Sequence, residues 1–167
     1  MKSLTALIAG LTALGFFTPA SAAEKHESGS FDNTIVKRET LPVAEGHILQ
    51  LSEATGINKS GGRFDGYNVS CRETADLNLG NGSHSGYCLF TKGNEEQDVK
   101  YGGKIATEMK EGHPFTTFGG DWTVVNATGP LAGSKGKGTY SGYFTAEDKY
   151  HTDWKGSFSG PAAMAKR

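Results

Sequence analysis

The chain has 167 residues, of which 36% are hydrophobic and 21% are charged, a composition that fits one folded domain and excludes an intrinsically disordered chain. Its 17 Lys and Arg residues nearly balance its 18 Asp and Glu residues, so there is no strongly basic surface for the backbone of a nucleic acid. The 24 glycines have no three-residue period, which excludes collagen and favours strands joined by tight turns.

The first 23 residues have the layout of a secretory signal peptide. Lys2 precedes an apolar run over residues 4–17, and small residues follow it, so cleavage is expected after Ala22 or Ala23. A membrane anchor is the alternative, but a helix needs about 20 apolar residues to span a bilayer and this run is shorter. We therefore expect residues 1–23 to be removed from an exported protein without a membrane span, in the periplasm or the extracellular space.

The rest of the chain divides into a short polar stretch and one domain. Residues 24–32 are polar, and we expect them to form a flexible N-terminal segment. Residues 33–167 form the predicted domain, and their dominant hydrophobic period is two, which is typical of strands with one face in a core. Eight strands are predicted, at residues 33–40, 47–56, 64–76, 84–92, 96–107, 115–127, 134–145 and 149–160.

The clearest alternation lies near the end of the chain. In residues 135–145, Tyr140 and Phe144 share one face with three glycines, and mostly polar side chains occupy the other face. Glycines inside such runs favour strongly coiled strands, and therefore a closed barrel rather than a sandwich. The predicted fold is all-β, a single antiparallel β-barrel of about eight strands.

The chain contains two cysteines, Cys71 and Cys88. An even number of cysteines in an exported protein indicates a disulfide. A hairpin folded about Leu79 and Gly80 brings the two cysteines opposite each other on adjacent antiparallel strands, on the aromatic face. A zinc site and a catalytic thiol are the alternatives, but structural zinc takes four ligands and the five histidines show no ligand spacing, so no metal site is predicted.

Residues 120–144, GDWTVVNATGPLAGSKGKGTYSGYF, carry a motif of glycines and aromatic residues. The motif resembles one in small secreted bacterial β-barrel proteins, which are related in fold to plant allene oxide cyclase and dirigent proteins. Residues 66–91, with their paired cysteines, resemble the same group. The resemblance implies a barrel of lipocalin-like shape in a Gram-negative bacterium. It leaves a monomer, dimer or trimer open, and it implies no particular reaction.

The predicted inner face of the barrel is aromatic and mostly apolar. Glycines at positions 136, 138 and 156 share this face and are expected to leave room beside the rings. Such a pocket suits a small hydrophobic or aromatic ligand, bound without a cofactor. The alternative is a filled core in a structural or interaction protein. The candidate ligand-binding residues are Tyr67, Phe90, Tyr101, Tyr140, Phe144, Trp154 and Phe158.

Glu73 is the candidate catalytic residue. It shares the inward parity of Cys71, so its side chain is expected to face the apolar interior of the barrel. A carboxylate in an apolar environment can act as a general base. A cyclase or isomerase acting on a small apolar substrate is therefore the alternative function, and a solvated Glu73 at the mouth of the barrel is the alternative placement. The sequence has no GxSxG motif and no phosphate-binding loop before a helix, so neither a hydrolase triad nor a nucleotide site is predicted.

Overall fold

The computed structural model of the chain describes residues 24–161, so the predicted signal peptide lies outside the described residues. Eight strands follow one another around a closed barrel in which neighbouring strands are antiparallel and β8 pairs with β1, which confirms the predicted all-β barrel. Within the described range, no helix has the length and apolar character needed to cross a membrane. The strands are β1 (Lys25–Ala44), β2 (His47–Ser60), β3 (Asn68–Asn78), β4 (Asn81–Lys92), β5 (Glu95–Lys110), β6 (His113–Thr128), β7 (Lys135–Ala146) and β8 (Lys149–Ser159), with a 3₁₀ helix at Gly129–Leu131.

Strand β3 shows why these segments form a barrel wall. Val69 and Cys71 are buried, whereas Asn68 and Arg72 are exposed, so successive side chains point alternately to the interior and to water. Burial of one face supplies the apolar contact that holds the strand, and the polar face keeps the outside of the barrel solvated.

Every strand end lies within four residues of the predicted position except the start of β1. β1 begins at Lys25, so the prediction of a flexible segment over residues 24–32 is wrong from residue 25 onward. Residues 25–34 pair with β8, and this ladder closes the barrel and satisfies the backbone hydrogen-bonding groups of a polar stretch. β3 begins at Asn68 rather than at residue 64, because residues 61–67 form a loop that turns Phe64 into the barrel.

The strand connections define two ends of the barrel. At the hairpin end, two-residue turns join β1 to β2, β3 to β4, β5 to β6 and β7 to β8. The loop end carries residues 61–67, the β4–β5 turn and the connection over residues 129–134. Phe64 and Leu131 come from two of these connections and are almost completely buried in the aromatic core. They close the loop end.

A disulfide joins Cys71 to Cys88, as predicted. The two residues lie directly opposite each other in the β3–β4 register, and both line the interior of the barrel. The turn between the strands consists of Leu79 and Gly80, whose φ angles of 50° and 77° are the positive values that a two-residue hairpin turn requires. The bond therefore links two adjacent strands at the inner face.

Replacement of both cysteines by alanine should lower the free energy of unfolding by about 3 kcal/mol, because the cross-link restricts a loop of this length in the unfolded chain. The two positions are 17 residues apart. Chemical denaturation followed by circular dichroism measures the difference, and the reduced wild-type protein is the control, expected to resemble the double variant. Equal stability of the variant and the oxidised wild type would contradict this prediction.

Candidate functional site

A cavity of about 90 Å³ lies inside the barrel. Lining side chains such as Phe90 and Phe158 are buried, whereas Ser52 and Phe144, nearer the hairpin end, are only half-buried. The cavity therefore opens toward the hairpin end. Its presence argues against a completely filled core, since well-packed interiors leave few voids larger than a water molecule.

Six of the seven side chains predicted to contact a ligand line this cavity. Tyr67 does not: its ring is buried against Phe64, with the ring centroids 5.5 Å apart, and its hydroxyl donates to Glu95. Parity places Tyr67 inside the barrel, but Phe64, which does line the cavity, covers it. The six that line the cavity are Phe90, Tyr101, Tyr140, Phe144, Trp154 and Phe158.

The inward-facing glycines do not form the open space. A Cβ atom on Gly138 would lie 2.6 Å from the ring of Trp122, and one on Gly136 would lie 2.7 Å from the ring of Phe158. The Trp122 ring also lies over Gly156. The expectation of room beside these glycines is therefore wrong, because two large rings occupy it. The absence of a Cβ atom allows the rings to lie against the backbone of the barrel wall.

Four polar side chains meet in the cavity wall, and we call Glu73, His84, Tyr101 and Tyr140 the polar cluster. His84 Nδ1 donates to Glu73 Oε2 over 2.8 Å, and the Tyr101 hydroxyl donates to the same oxygen over 3.1 Å. The Tyr140 hydroxyl lies 3.0 Å from His84 Nε2. The side chains of His84 and Glu73 are only 2% and 20% exposed, so these hydrogen bonds are largely shielded from bulk water.

Burial determines the protonation state of the tyrosines in the cavity wall. Removal from water is the largest cause that raises the pKa of Tyr140 above its ordinary value, and the charge of Glu73 raises it further. The same two causes, burial first, raise the pKa of Tyr101. Burial also raises the pKa of Tyr150 to about 12, against the lowering effect of its hydrogen bond with Asn33. All three phenols are therefore protonated at neutral pH and do not act as phenolate bases; the Tyr150 hydroxyl accepts a hydrogen bond from Asn33 Nδ2 over 2.8 Å.

The polar cluster can serve a bound ligand in two ways. A carboxylate only accepts hydrogen bonds, so His84 donates to Glu73 from Nδ1, and its neutral ring accepts from the Tyr140 hydroxyl at Nε2. The Tyr140 oxygen then retains lone pairs for a donor group of a ligand. The Tyr140 hydroxyl can also turn away from His84 and donate to an acceptor group of a ligand. The cluster can therefore accept a hydrogen bond from a ligand or donate one to it.

Several residues of the site escaped prediction from the sequence. The sequence analysis considered His84 only as a possible metal ligand. His84 shares the inward parity of Cys88, however, and this parity places it on the inner face of β4. Trp122 and Tyr150 also lie in predicted strands, on the faces that line the cavity. Within the described part of the chain, no three His, Cys, Asp or Glu side chains lie close enough together to hold a metal ion.

No protein-family model and no curated protein matches the chain. Among solved structures, the chain is similar to the pterocarpan synthase dirigent protein GePTS1, with 10% sequence identity and a TM-score of 0.47. The match covers 89% of this chain and 99% of that chain.

Proposed function

We propose that the protein binds a small aromatic or otherwise apolar ligand inside the barrel and does not convert it. The observation that carries the proposal is the cavity, which is closed at the loop end and walled mainly by aromatic rings, with one polar cluster. The apolar wall attracts the ligand by the hydrophobic effect, and a few polar groups fix its orientation, as in most small-molecule sites.

The size of the cavity restricts the class of ligand. One water molecule needs about 10–15 Å³ of cavity volume. A cavity of about 90 Å³ therefore suits a compound about one ring in size rather than a peptide. Tyr101 and Tyr140 stand edge to face, with centroids 5.6 Å apart, and such pairs present both ring faces and ring edges to a planar aromatic ligand.

In this proposal the ligand is bound outside the cytoplasm. The Cys71–Cys88 disulfide supports that location, because such bonds persist mainly in oxidising compartments. The signal-peptide pattern of residues 1–23 also supports it, and cleavage after Ala22 or Ala23 stays a prediction. The intact mass of the protein recovered from the periplasm or the medium tests both the location and the cleavage position.

A cyclase or isomerase that uses the same cavity is the second candidate. The hydrogen-bonded chain of Glu73, His84 and Tyr140 favours it, because an imidazole backed by a carboxylate can take a proton from one atom of a substrate and return it to another. Glu73→Gln retains the side-chain volume and removes the carboxylate. In an enzyme this change should lower turnover about 100-fold, whereas in a binding protein it should leave the affinity within about tenfold.

Titration calorimetry with para-ethylphenol, a one-ring probe with a hydroxyl for the polar cluster, tests the binding proposal. Ser52→Phe places a ring in the half-buried mouth of the cavity and should weaken binding by about tenfold or more, through loss of space for the probe. Thr55→Phe lies on the exposed face of the same strand and is the matched control. Binding by the wild type and Thr55→Phe, but not by Ser52→Phe, supports the proposal. No binding by the wild type, or equal binding by all three proteins, contradicts it.

A further inference from the structure

One hydroxyl group in the cavity wall has a proton without an acceptor among the described residues. Tyr150 lines the cavity, and its hydroxyl oxygen accepts a hydrogen bond from Asn33 Nδ2 over 2.8 Å. This is the one hydrogen bond of that hydroxyl within residues 24–161, so its proton remains available for a ligand. The Asn33 amide oxygen does not take the proton, since that atom has no hydrogen-bond partner in the same range.

The side chain of Tyr150 is held in a fixed position. Asn33 lies directly opposite Tyr150 in the β1–β8 register, and it is 2% exposed. The Tyr150 ring stands edge-on to Phe118, with the ring centroids 5.5 Å apart, and packs against Phe144 at 5.6 Å. The packed rings restrict rotation of the side chain, and the Asn33 amide occupies one side of the hydroxyl oxygen. The hydroxyl proton therefore points away from Asn33.

The Tyr150 hydroxyl faces the polar cluster across the cavity. Asn33 Nδ2 lies 2.8 Å from this hydroxyl and 3.8 Å from Cys71 Sγ, so the tip of Tyr150 reaches the wall formed by β3. Glu73 is the next inward position on that strand and also lines the cavity. Burial and then the charge of Glu73 raise the pKa of Tyr150, but no hydrogen bond joins the two side chains in the described part of the chain. A ligand group can therefore lie between them.

Glu73 offers an acceptor to the same ligand group. The hydrogen bonds that its carboxylate receives from His84 and Tyr101 both go to Oε2, so Oε1 keeps its lone pairs. A hydroxyl group placed between Tyr150 and Glu73 accepts from the phenol and donates to Oε1. A carbonyl or an ether oxygen only accepts, so it cannot donate to the carboxylate. A carboxylate group on the ligand would be repelled by the charge of Glu73.

We propose that Tyr150 determines the specificity of the cavity by donating a hydrogen bond to a neutral hydroxyl group of the ligand, which in turn donates to Glu73 Oε1. This inference rests on the proposed binding function and names the chemical group that the site recognises. Asn33 is a positioning residue, because its amide directs the Tyr150 proton toward the ligand. The site thereby discriminates against a ligand of the same shape with a methyl group in place of the hydroxyl, which leaves the Tyr150 donor unpaired.

Two probes of nearly equal shape test the inference. Para-ethyltoluene carries a methyl group where para-ethylphenol carries its hydroxyl, and titration calorimetry measures the affinity of the purified protein for each. With ring contact alone, para-ethyltoluene would bind more tightly, because removal of a hydroxyl group from water costs free energy unless it is hydrogen-bonded. We expect the wild type to bind para-ethylphenol at least as tightly as para-ethyltoluene. This comparison needs no variant, so it is independent of the stability of any substituted protein.

Tyr150→Phe retains the ring and removes the donor. It should weaken binding of para-ethylphenol about tenfold and leave binding of para-ethyltoluene within about threefold. Tyr143→Phe is the matched control, because Tyr143 lies on the outer face of β7 and is 41% exposed, and it should change neither affinity.

The outcomes separate the inference from the binding function. If the wild type does not bind para-ethylphenol, the binding function itself fails. If the wild type binds para-ethylphenol but prefers para-ethyltoluene, the binding function stands and the role of Tyr150 is overturned. The same conclusion follows if Tyr150→Phe weakens binding of both probes equally or of neither.

Discussion

Trp154→Ala should lower the free energy of unfolding by about 3–5 kcal/mol, the range found when a large buried aromatic side chain is truncated. Trp154 is 8% exposed, and its indole ring stands edge-on to the rings of Trp122 and Phe64, with centroids 6.2 and 6.3 Å away. Its Nε1 also donates to Asn58 Oδ1 over 2.7 Å, and Asn58 is completely buried. The truncation therefore removes apolar contacts and leaves a buried acceptor without this donor.

Guanidinium denaturation followed by far-ultraviolet circular dichroism measures the effect of Trp154→Ala. Trp154→Phe is the control, because it retains an aromatic ring while removing the indole N–H and part of the ring volume, and it should lower the stability by about 1–3 kcal/mol. Trp154 also lines the cavity, so the alanine variant should bind para-ethylphenol more weakly than the wild type under conditions where both are folded. If Trp154→Ala lost less stability than Trp154→Phe, the barrel core would not depend on this ring.

Phe64→Ala should destabilise the barrel by a similar amount, about 3–5 kcal/mol, although Phe64 lies in a loop. Phe64 is 2% exposed and packs on Phe158 and Tyr67, with centroids 4.8 and 5.5 Å away. Truncation removes the side chain that closes the loop end and enlarges the cavity there. Asn58 Nδ2 donates to the backbone carbonyl oxygen of Phe64 over 2.7 Å, and this hydrogen bond can persist in the variant. The loss of stability therefore measures mainly the contribution of the Phe64 ring.

The same denaturation experiment measures the effect of Phe64→Ala. Phe64→Leu is the control, since it refills most of the volume and should recover more than half of the lost stability. An exposed loop residue without a packing role usually changes stability by less than about 0.5 kcal/mol. An alanine variant within that limit would contradict the assignment of Phe64 as the closure of the loop end.

The strands could be predicted because the period-two signal is local to each segment. β7 was predicted at residues 134–145 and lies at Lys135–Ala146, where glycines and aromatic side chains alternate with mostly polar ones. The Cys71–Cys88 pairing could also be predicted, because a short turn fixes the register of the hairpin on both sides. The start of β1 could not: residues 25–32 are polar, and they become a strand by pairing with β8, whose residues are more than 100 positions away in the chain.

Only part of the candidate site could be predicted from the sequence. Inward parity identified Glu73 and most of the aromatic wall, because facing inward is a property of each strand by itself. The polar cluster depends on closure of the barrel, which brings Tyr140 to His84 across 56 residues of chain. The position of Phe64 depends on a loop conformation that no hydrophobic period encodes. The available proton of the Tyr150 hydroxyl is recognised only from its hydrogen bond with Asn33.

Native mass spectrometry of the protein purified without denaturation from the cells that produce it tests the central claim, that the barrel holds a small ligand. We expect the wild type to carry an additional mass of a compound about one ring in size, released on unfolding. The Thr55→Phe control should carry the same mass, and Ser52→Phe, with its mouth occupied by a ring, should not. Wild-type protein of the bare polypeptide mass that also fails to take up para-ethylphenol, or an identical adduct on Ser52→Phe, would contradict the claim.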